Sequence, residues 1–278
     1  MRQIFPPGTA AAEIIAPARG ETGPAAQAAV RALAELYAYP DPQAQAEPWL
    51  RANMVVSADG GATLAGLSGG LSGQADRLVF TVLRSLADVI LVGAGTARAE
   101  RYRPAGGPNI WSALRDGRAP VPPIAVITRG LDLDPEGPLL AGASPEAPTI
   151  VLTTAAAPAG RRAAVARHAE VVVAGTDRLT PAAVVGALAE RGYRRLLTEG
   201  GPSLLAQITA AGLLDDLCLT ISPVLEGGAA GRILAAGPAG PDQAGPDQAG
   251  TRPPTGLRLA HVIEDRGYLL CRYLRDPG

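Results

Sequence analysis

From Leu50 to Ile221 short apolar runs alternate with segments of helical period, and that alternation limits the chain to a sheet covered by helices. Leu50–Val56 reads as a strand. Gln74–Ala87 then places Leu78, Val79, Val82, Leu83 and Leu86 on one helical face. Asp88–Val92 is a short apolar run suited to a strand buried on both faces. Ile124–Thr128, Thr149–Thr153, Glu170–Val173, Arg194–Thr198 and Asp216–Ile221 continue the strands. Pro181–Glu190 and Pro202–Ala211 are helices, the first with Thr180 as N-cap ahead of a proline at the first helical position. The C-terminal pattern differs: Leu257–Ile263 and Tyr268–Tyr273 flank Glu264-Asp265-Arg266-Gly267 and predict an antiparallel hairpin. The expected fold is α/β, a mixed and mostly parallel sheet flanked by helices and closed by that hairpin.

Residues 1–47, rich in Pro, Ala and Gly, read as a tail with one helix, packed onto the main domain, at Ala25–Tyr39, where Val30, Leu33, Leu36 and Tyr37 recur at helical spacing. The main domain is expected over residues 48–276. Within it, PDQAG occurs twice in succession, at Pro241–Gly245 and Pro246–Gly250, so residues 236–250 are expected to be a flexible surface loop. Aromatics make up only 4% of the chain, so Val, Leu, Ile and Ala must fill the core.

Composition also narrows the chemistry. A net charge of −1 gives no field for holding nucleic acid. The basic residues are all Arg, which excludes a lysine Schiff base or a P-loop lysine and leaves Arg to hold any phosphate. Cys218 and Cys271 lie far apart in strand patterns, so buried thiols are expected rather than a zinc site or a disulfide framework. His168 and His261 show no metal-ligand pairing, and no metal is expected. No window resembles a secretion signal or a membrane span, which makes a cytoplasmic protein the expectation.

Two junctions carry the candidate binding chemistry. Glu199-Gly200-Gly201-Pro202-Ser203 joins a strand to a helix. Its paired glycines permit close approach, and the helix start offers free N–H groups to a diphosphate. A tight turn touching no ligand is the competing reading. Val92-Gly93-Ala94-Gly95-Thr96 repeats the design without being a dinucleotide fingerprint, since Arg98 stands where a third glycine belongs. Ile124–Arg129 ends in Thr128 and Arg129, a hydroxyl and a guanidinium suited to a 2′-phosphate, or else a solvated arginine. Ser57-Ala58-Asp59-Gly60 ends the first strand, where a carboxylate suits substrate binding or proton delivery, though Asp-Gly is also a common turn.

In this order, ANMVVSADG, LSGQADRLVFTVLRSLADVILVGAGTARAE and LLTEGGPSLLAQITAAGLLDDLCLTISPVLEGG resemble the C-terminal reductase domain of the bifunctional riboflavin-biosynthesis deaminase/reductase. The resemblance runs from about Trp49 to Tyr273 and implies a dihydrofolate-reductase-like fold, NADPH as cofactor and a homodimer. It implies reduction of the ribosyl group of 5-amino-6-(5-phosphoribosylamino)uracil to ribityl. Carried over by position, it implies that Thr96 and Thr128 contact NADP, with Val56 beside the cofactor. It implies the cofactor diphosphate on Gly200–Leu205, which brings in Gly201, Pro202, Ser203 and Leu204, with a cis Gly200–Gly201 peptide. Gly93, Gly95 and Arg129 complete the expected cofactor site. Ser57, Ser68, Arg84 and Arg103 are the expected substrate contacts, and Asp59 and Glu199 the candidates to orient substrate or supply a proton. Two positions depart from the family pattern. Glu100-Arg101-Tyr102 replaces an acidic pair and proline, and Gly70 replaces an aromatic residue. Residues 1–48 contain no His or Cys, so no zinc deaminase site is expected there. The departures leave room for a dihydrofolate-like pterin or another heterocycle as substrate, or for a catalytically silent NADPH-binding protein.

Overall fold

The computed structural model describes residues 1–6, 23–106, 113–235 and 254–276; the expected loop at 236–250 lies outside them. In chain order the strands are β1 (Arg2–Phe5), β2 (Trp49–Ser57), β3 (Val89–Gly93), β4 (Ile124–Ile127), β5 (Ile150–Thr153), β6 (Glu170–Val173), β7 (Arg195–Thr198), β8 (Asp216–Ser222), β9 (Leu257–Asp265) and β10 (Tyr268–Arg275). The helices are α1 (Pro24–Leu36), α2 (Gln74–Leu86), α3 (Ala94–Ala99), α4 (Pro138–Ala141), α5 (Ala159–Val165), α6 (Pro181–Ala189) and α7 (Pro202–Ala210). Thr180 caps α6 as expected, its hydroxyl accepting from the Ala183 amide at 3.2 Å.

All ten strands form one sheet in the order β1-β9-β10-β8-β2-β7-β3-β4-β5-β6. From β8 to β6 the neighbours are parallel; β10 joins antiparallel to β8, and β9 and β1 extend that edge antiparallel. The expected mixed, mostly parallel sheet with a C-terminal hairpin is what forms. Alternate residues of its central strands enter opposite cores. Ile90 and Val92 pack with Leu33, Val79 and Leu83 on the α1–α2 side. Val89 and Leu91 pack with Val184, Leu188, Leu205 and Ile208 on the α6–α7 side.

One expectation needs correcting. The first residues are not simply a tail, because Arg2–Phe5 pairs antiparallel with β9 at the sheet edge. The helix after them belongs to the same body, with Ala26, Val30 and Leu33 buried. Its C-terminal carbonyls are held from below: Arg51 donates to Tyr37 O at 2.6 Å and Arg272 to Leu36 O at 2.7 Å. Both guanidiniums also grip Asp216, at 2.6 and 2.8 Å, so one carboxylate offsets half of their charge and the remainder faces the helix C-terminus, which suits a cation. Among the described residues, no helix is long and apolar enough to cross a membrane.

Candidate active site

The parallel strands end together at their carboxyl edge, where open α/β sheets expose a crevice. There β3 and β7 are laced by backbone: the Glu199 amide donates to Leu91 O and the Gly93 amide to Gly200 O, both at 3.0 Å. The Gly200–Gly201 peptide is cis, and Gly200 has φ +89°, where a side chain is disfavoured. A Cβ on Gly201 would overlap Thr96 Oγ1, so glycine lets α3 and α7 come together with the Thr96 hydroxyl between them. Two clefts open from this crossing.

The first, ≈ 350 Å³, lies between the β3–α3 turn and the start of α7. Gly93, Gly95, Thr96, Gly201, Pro202, Ser203 and Leu204 line it, so seven of the expected cofactor residues converge. No side chain caps α7, which leaves its first-turn amides available to an anion. Apart from Gln207, the rest of the wall is apolar, with Ile127, Val184 and Ile208 among its residues. Thr128 and Arg129 follow Ile127 outside this wall. Thr128 is buried and accepts from the Leu131 amide at 3.1 Å, whereas Arg129 is exposed. Val56 is buried and Gly200 lies beneath the turn, both outside the walls of the two clefts.

The second cleft, ≈ 620 Å³, opens on the other side of Thr96 and takes in Ser68, Arg84, Arg103 and Glu199. Glu199 is at its centre. Arg84 grips its carboxylate as a bidentate fork, Nε to Oε1 and Nη2 to Oε2, both at 2.7 Å. The Tyr102 hydroxyl donates to Oε2 at 2.5 Å, and the Arg84 guanidinium lies 4.2 Å from the centroid of Phe80, one turn before it on α2. Burial pulls the Arg84 guanidinium down, but the facing Glu199 outweighs this and holds it above its ordinary value. Burial and the same carboxylate push the Tyr102 phenol well up. With its fork on Glu199, Arg84 has no second fork to offer a phosphate. Arg77, Arg101 and Arg103 are exposed on the same cleft and are free of that pairing.

Ser68 is fixed by Glu100, whose Oε1 accepts from both its amide and its hydroxyl at 2.9 Å. Ser57 and Asp59 lie outside the cleft walls. Asp59 accepts from Ser57 Oγ at 2.5 Å and from the Glu226 and Gly227 amides at 3.1 and 2.8 Å. These bonds, the Ser57 hydroxyl first, lower its carboxyl to about 2, which suits a loop clamp and not a proton donor.

Sequence reasoning passed over Asp76. It sits in the first turn of α2, 6% exposed, on the wall of the second cleft, and accepts a short hydrogen bond from Ser72 Oγ. Burial, only partly offset by bonds from Ser72 and Thr220 and by the charge of Arg77, raises its carboxyl above the ordinary value. Tyr102 was also missed as a partner of Glu199, because the two lie 97 residues apart.

The sequence profile described as "RibD C-terminal domain" matches residues 48–262. The 2,5-diamino-6-ribosylamino-4(3H)-pyrimidinone 5′-phosphate reductase of Methanothermobacter thermautotrophicus is 30% identical over 190 residues, 68% of this chain and 84% of that protein. The riboflavin biosynthesis protein RibD of Mycobacterium tuberculosis is 31% identical over 174 residues, 62% of this chain but 41% of that protein. Among solved structures, a pyrimidine reductase-like protein from Corynebacterium diphtheriae superposes with a TM-score of 0.71 at 29% identity, covering 83% of this chain and 93% of that one. Acinetobacter baumannii RibD shares the fold at 18% identity, with a TM-score of 0.61 over 83% of this chain and 58% of that one.

Proposed function

The chain belongs to the RibD C-terminal domain family, and from that premise we propose that it is an NADPH-dependent reductase of a ribosylaminopyrimidine 5′-phosphate in riboflavin biosynthesis. One observation carries the reading: Thr96 forms a wall of both clefts, so a ligand in the first meets a ligand in the second at a single side chain. The first cleft fits a dinucleotide, with a glycine crossing that a Cβ would fill and an uncapped helix start for the diphosphate. The cofactor supplies hydride when bound; the protein supplies position. In the second cleft Glu199, locked by Arg84 and Tyr102, orients the ribosylamine, while Arg101 and Arg103 at the rim meet its phosphate. Asp59 acts at a distance by clamping the 226–227 turn. A homodimer is part of the proposal and rests on the family resemblance alone.

Arg129 follows the β4 end of the first cleft and is the candidate for the 2′-phosphate. Fluorescence titration is expected to show preference for NADPH over NADH, with Arg129→Ala weakening NADPH by about 10-fold and leaving NADH unchanged. No binding of either nucleotide at millimolar concentration would remove the reductase reading.

Asp76 points to the form of the ring. A carboxylate accepts two hydrogen bonds from the N3–H and 2-amino edge of a 2-amino-4-oxopyrimidine, whereas a 2,4-dione turns a carbonyl toward it. The 2-amino substrate is therefore expected to be preferred, and Asp76→Asn to lower its kcat/KM by about 10- to 100-fold. Because burial raises the Asp76 pKa, the accepting form fills as pH rises through that raised value. Wild-type kcat/KM should rise with pH there, and Asp76→Asn should not. Equal turnover of both rings by wild type and variant would discard this role. A dihydropterin presents the same donor edge and belongs in the same assay as a second substrate.

A further inference from the structure

A third cavity, ≈ 430 Å³, lies at the opposite end of the sheet, where the amino ends of β3, β4, β5 and β7 meet. Those strands are four or five residues long, so roughly 13–17 Å of sheet separates this cavity from the clefts. Arg115, Arg118, Arg191, Arg194 and Arg195 line it, against two carboxylates, Asp88 and Glu146.

The arginines are not equivalent. Arg115 and Arg118 are turned inward on the C-terminal carbonyls of α2 and the residue after it: Arg115 donates to Ser85 O at 3.0 Å and Arg118 to Leu86 O at 2.8 Å. Arg191 is paired with Glu170 at 2.7 Å. Asp88 is also occupied. Its Oδ2 accepts the Arg194 and Arg195 amides at 2.9 and 2.8 Å, and its Oδ1 accepts from Arg118 at 3.1 Å. The Arg195 side chain, on the cavity lining, is left with a long ion pair to Asp88. Its Nε is buried without a hydrogen-bond partner, 3.8 Å from the already engaged Asp88 Oδ1. Arg194 makes one long bond, to Ala46 O at 3.4 Å. Glu146 is exposed.

Such an arrangement leaves positive charge in a partly desolvated place. Arg115 is brought down to about 10, first by burial and then by Arg118, and Arg118 is lowered by burial and then by Arg195. An oxyanion would relieve the repulsion among the guanidiniums, whose planar forks match phosphate oxygens, and would meet the exposed part of the Arg195 side chain, 26% exposed. A cavity of this size is within the range of small-ligand pockets, about 300–1,000 Å³. We infer that this arginine-lined cavity binds a small diphosphate-bearing anion through Arg194 and Arg195, independently of the two clefts at the carboxyl ends of the strands.

The test titrates inorganic pyrophosphate calorimetrically into the full chain already saturated with NADPH, so that the first cleft cannot contribute. Saturable binding that persists under NADPH, and weakens about 10-fold or more in both Arg194→Ala and Arg195→Gln, is the expected result. Thermal unfolding checks that each variant is folded. Phenylglyoxal labelling with peptide mapping gives a reading on wild type alone: pyrophosphate should protect Arg194 and Arg195, and NADPH should not. ADP in place of pyrophosphate separates a nucleotide from a bare diphosphate, and tight binding of either sustains the inference. No saturable heat at millimolar pyrophosphate, unchanged affinity in both variants, or protection by NADPH would overturn it.

Discussion

Gly201→Ala is expected to cost about 100-fold or more in NADPH affinity, nearly 3 kcal/mol, while the protein stays folded. The φ of Gly201, −72° at the extended N-cap of α7, is one that alanine adopts readily. The obstacle is space: a Cβ would overlap Thr96 Oγ1, so the Thr96 hydroxyl must rotate away, or the α3 turn or the start of α7 must withdraw. Both form walls of the first cleft, and a small shift separates the amides of α7 from the glycine turn after β3. A double-mutant cycle with Thr96→Ala isolates the cause, since it removes the hydroxyl that the new methyl meets. In that background Gly201→Ala should cost about 10-fold or less. Wild-type NADPH binding by Gly201→Ala alone would show that the crossing is not the diphosphate cradle.

The same crossing shows how far sequence could reach. Both glycine turns were legible as strand-to-helix junctions, though not as ligand sites, and the strands around them fell within a residue or two of their observed ends. β6 matched its expected Glu170–Val173 bounds. Elements defined by partners rather than by pattern were not legible. Arg2–Phe5 has no apolar alternation and exists as a strand because β9 offers it an edge. The helix Ala159–Val165 buries only Val165, too little for a period to show. The candidate site divides in the same way. Ser57 and Asp59 stand at a strand end, where ligand contacts are common, but the backbone bond from Ala58 N to Val224 O brings in a loop that occupies them. Asp76 reads as an acidic residue favoured by the helix dipole in a first turn. Its bond with Thr220, far away in the sequence, and its place on the cleft wall arise only in the fold. Arg84 and Glu199 were each expected in the site, but nothing local says that they neutralise each other across 115 residues.

That pairing sets the second large effect. Arg84→Met is expected to lose about 3–5 kcal/mol of stability in urea unfolding, because it leaves Glu199 charged and unaccompanied with a side chain only 3% exposed. Turnover should fall with it, by about 100-fold or more, since the carboxylate then has only Tyr102 to hold its orientation. Two further variants separate stability from function. Arg84→Met with Glu199→Gln removes both charges and keeps their volumes, so much of the lost stability should return, as it does when both members of a buried pair are replaced by groups of similar size. Turnover should not return, because neither the carboxylate nor its orienting fork is present. Tyr102→Phe removes one hydrogen-bond donor to Glu199 and leaves the bidentate pair intact. It should cost about 1–2 kcal/mol and affect kcat more than KM if Glu199 positions the reacting ribosylamine. Restored turnover in the double variant would show that the Arg84–Glu199 pair only supports the fold. Unchanged urea stability in Arg84→Met would show that the pair is not buried as the geometry requires.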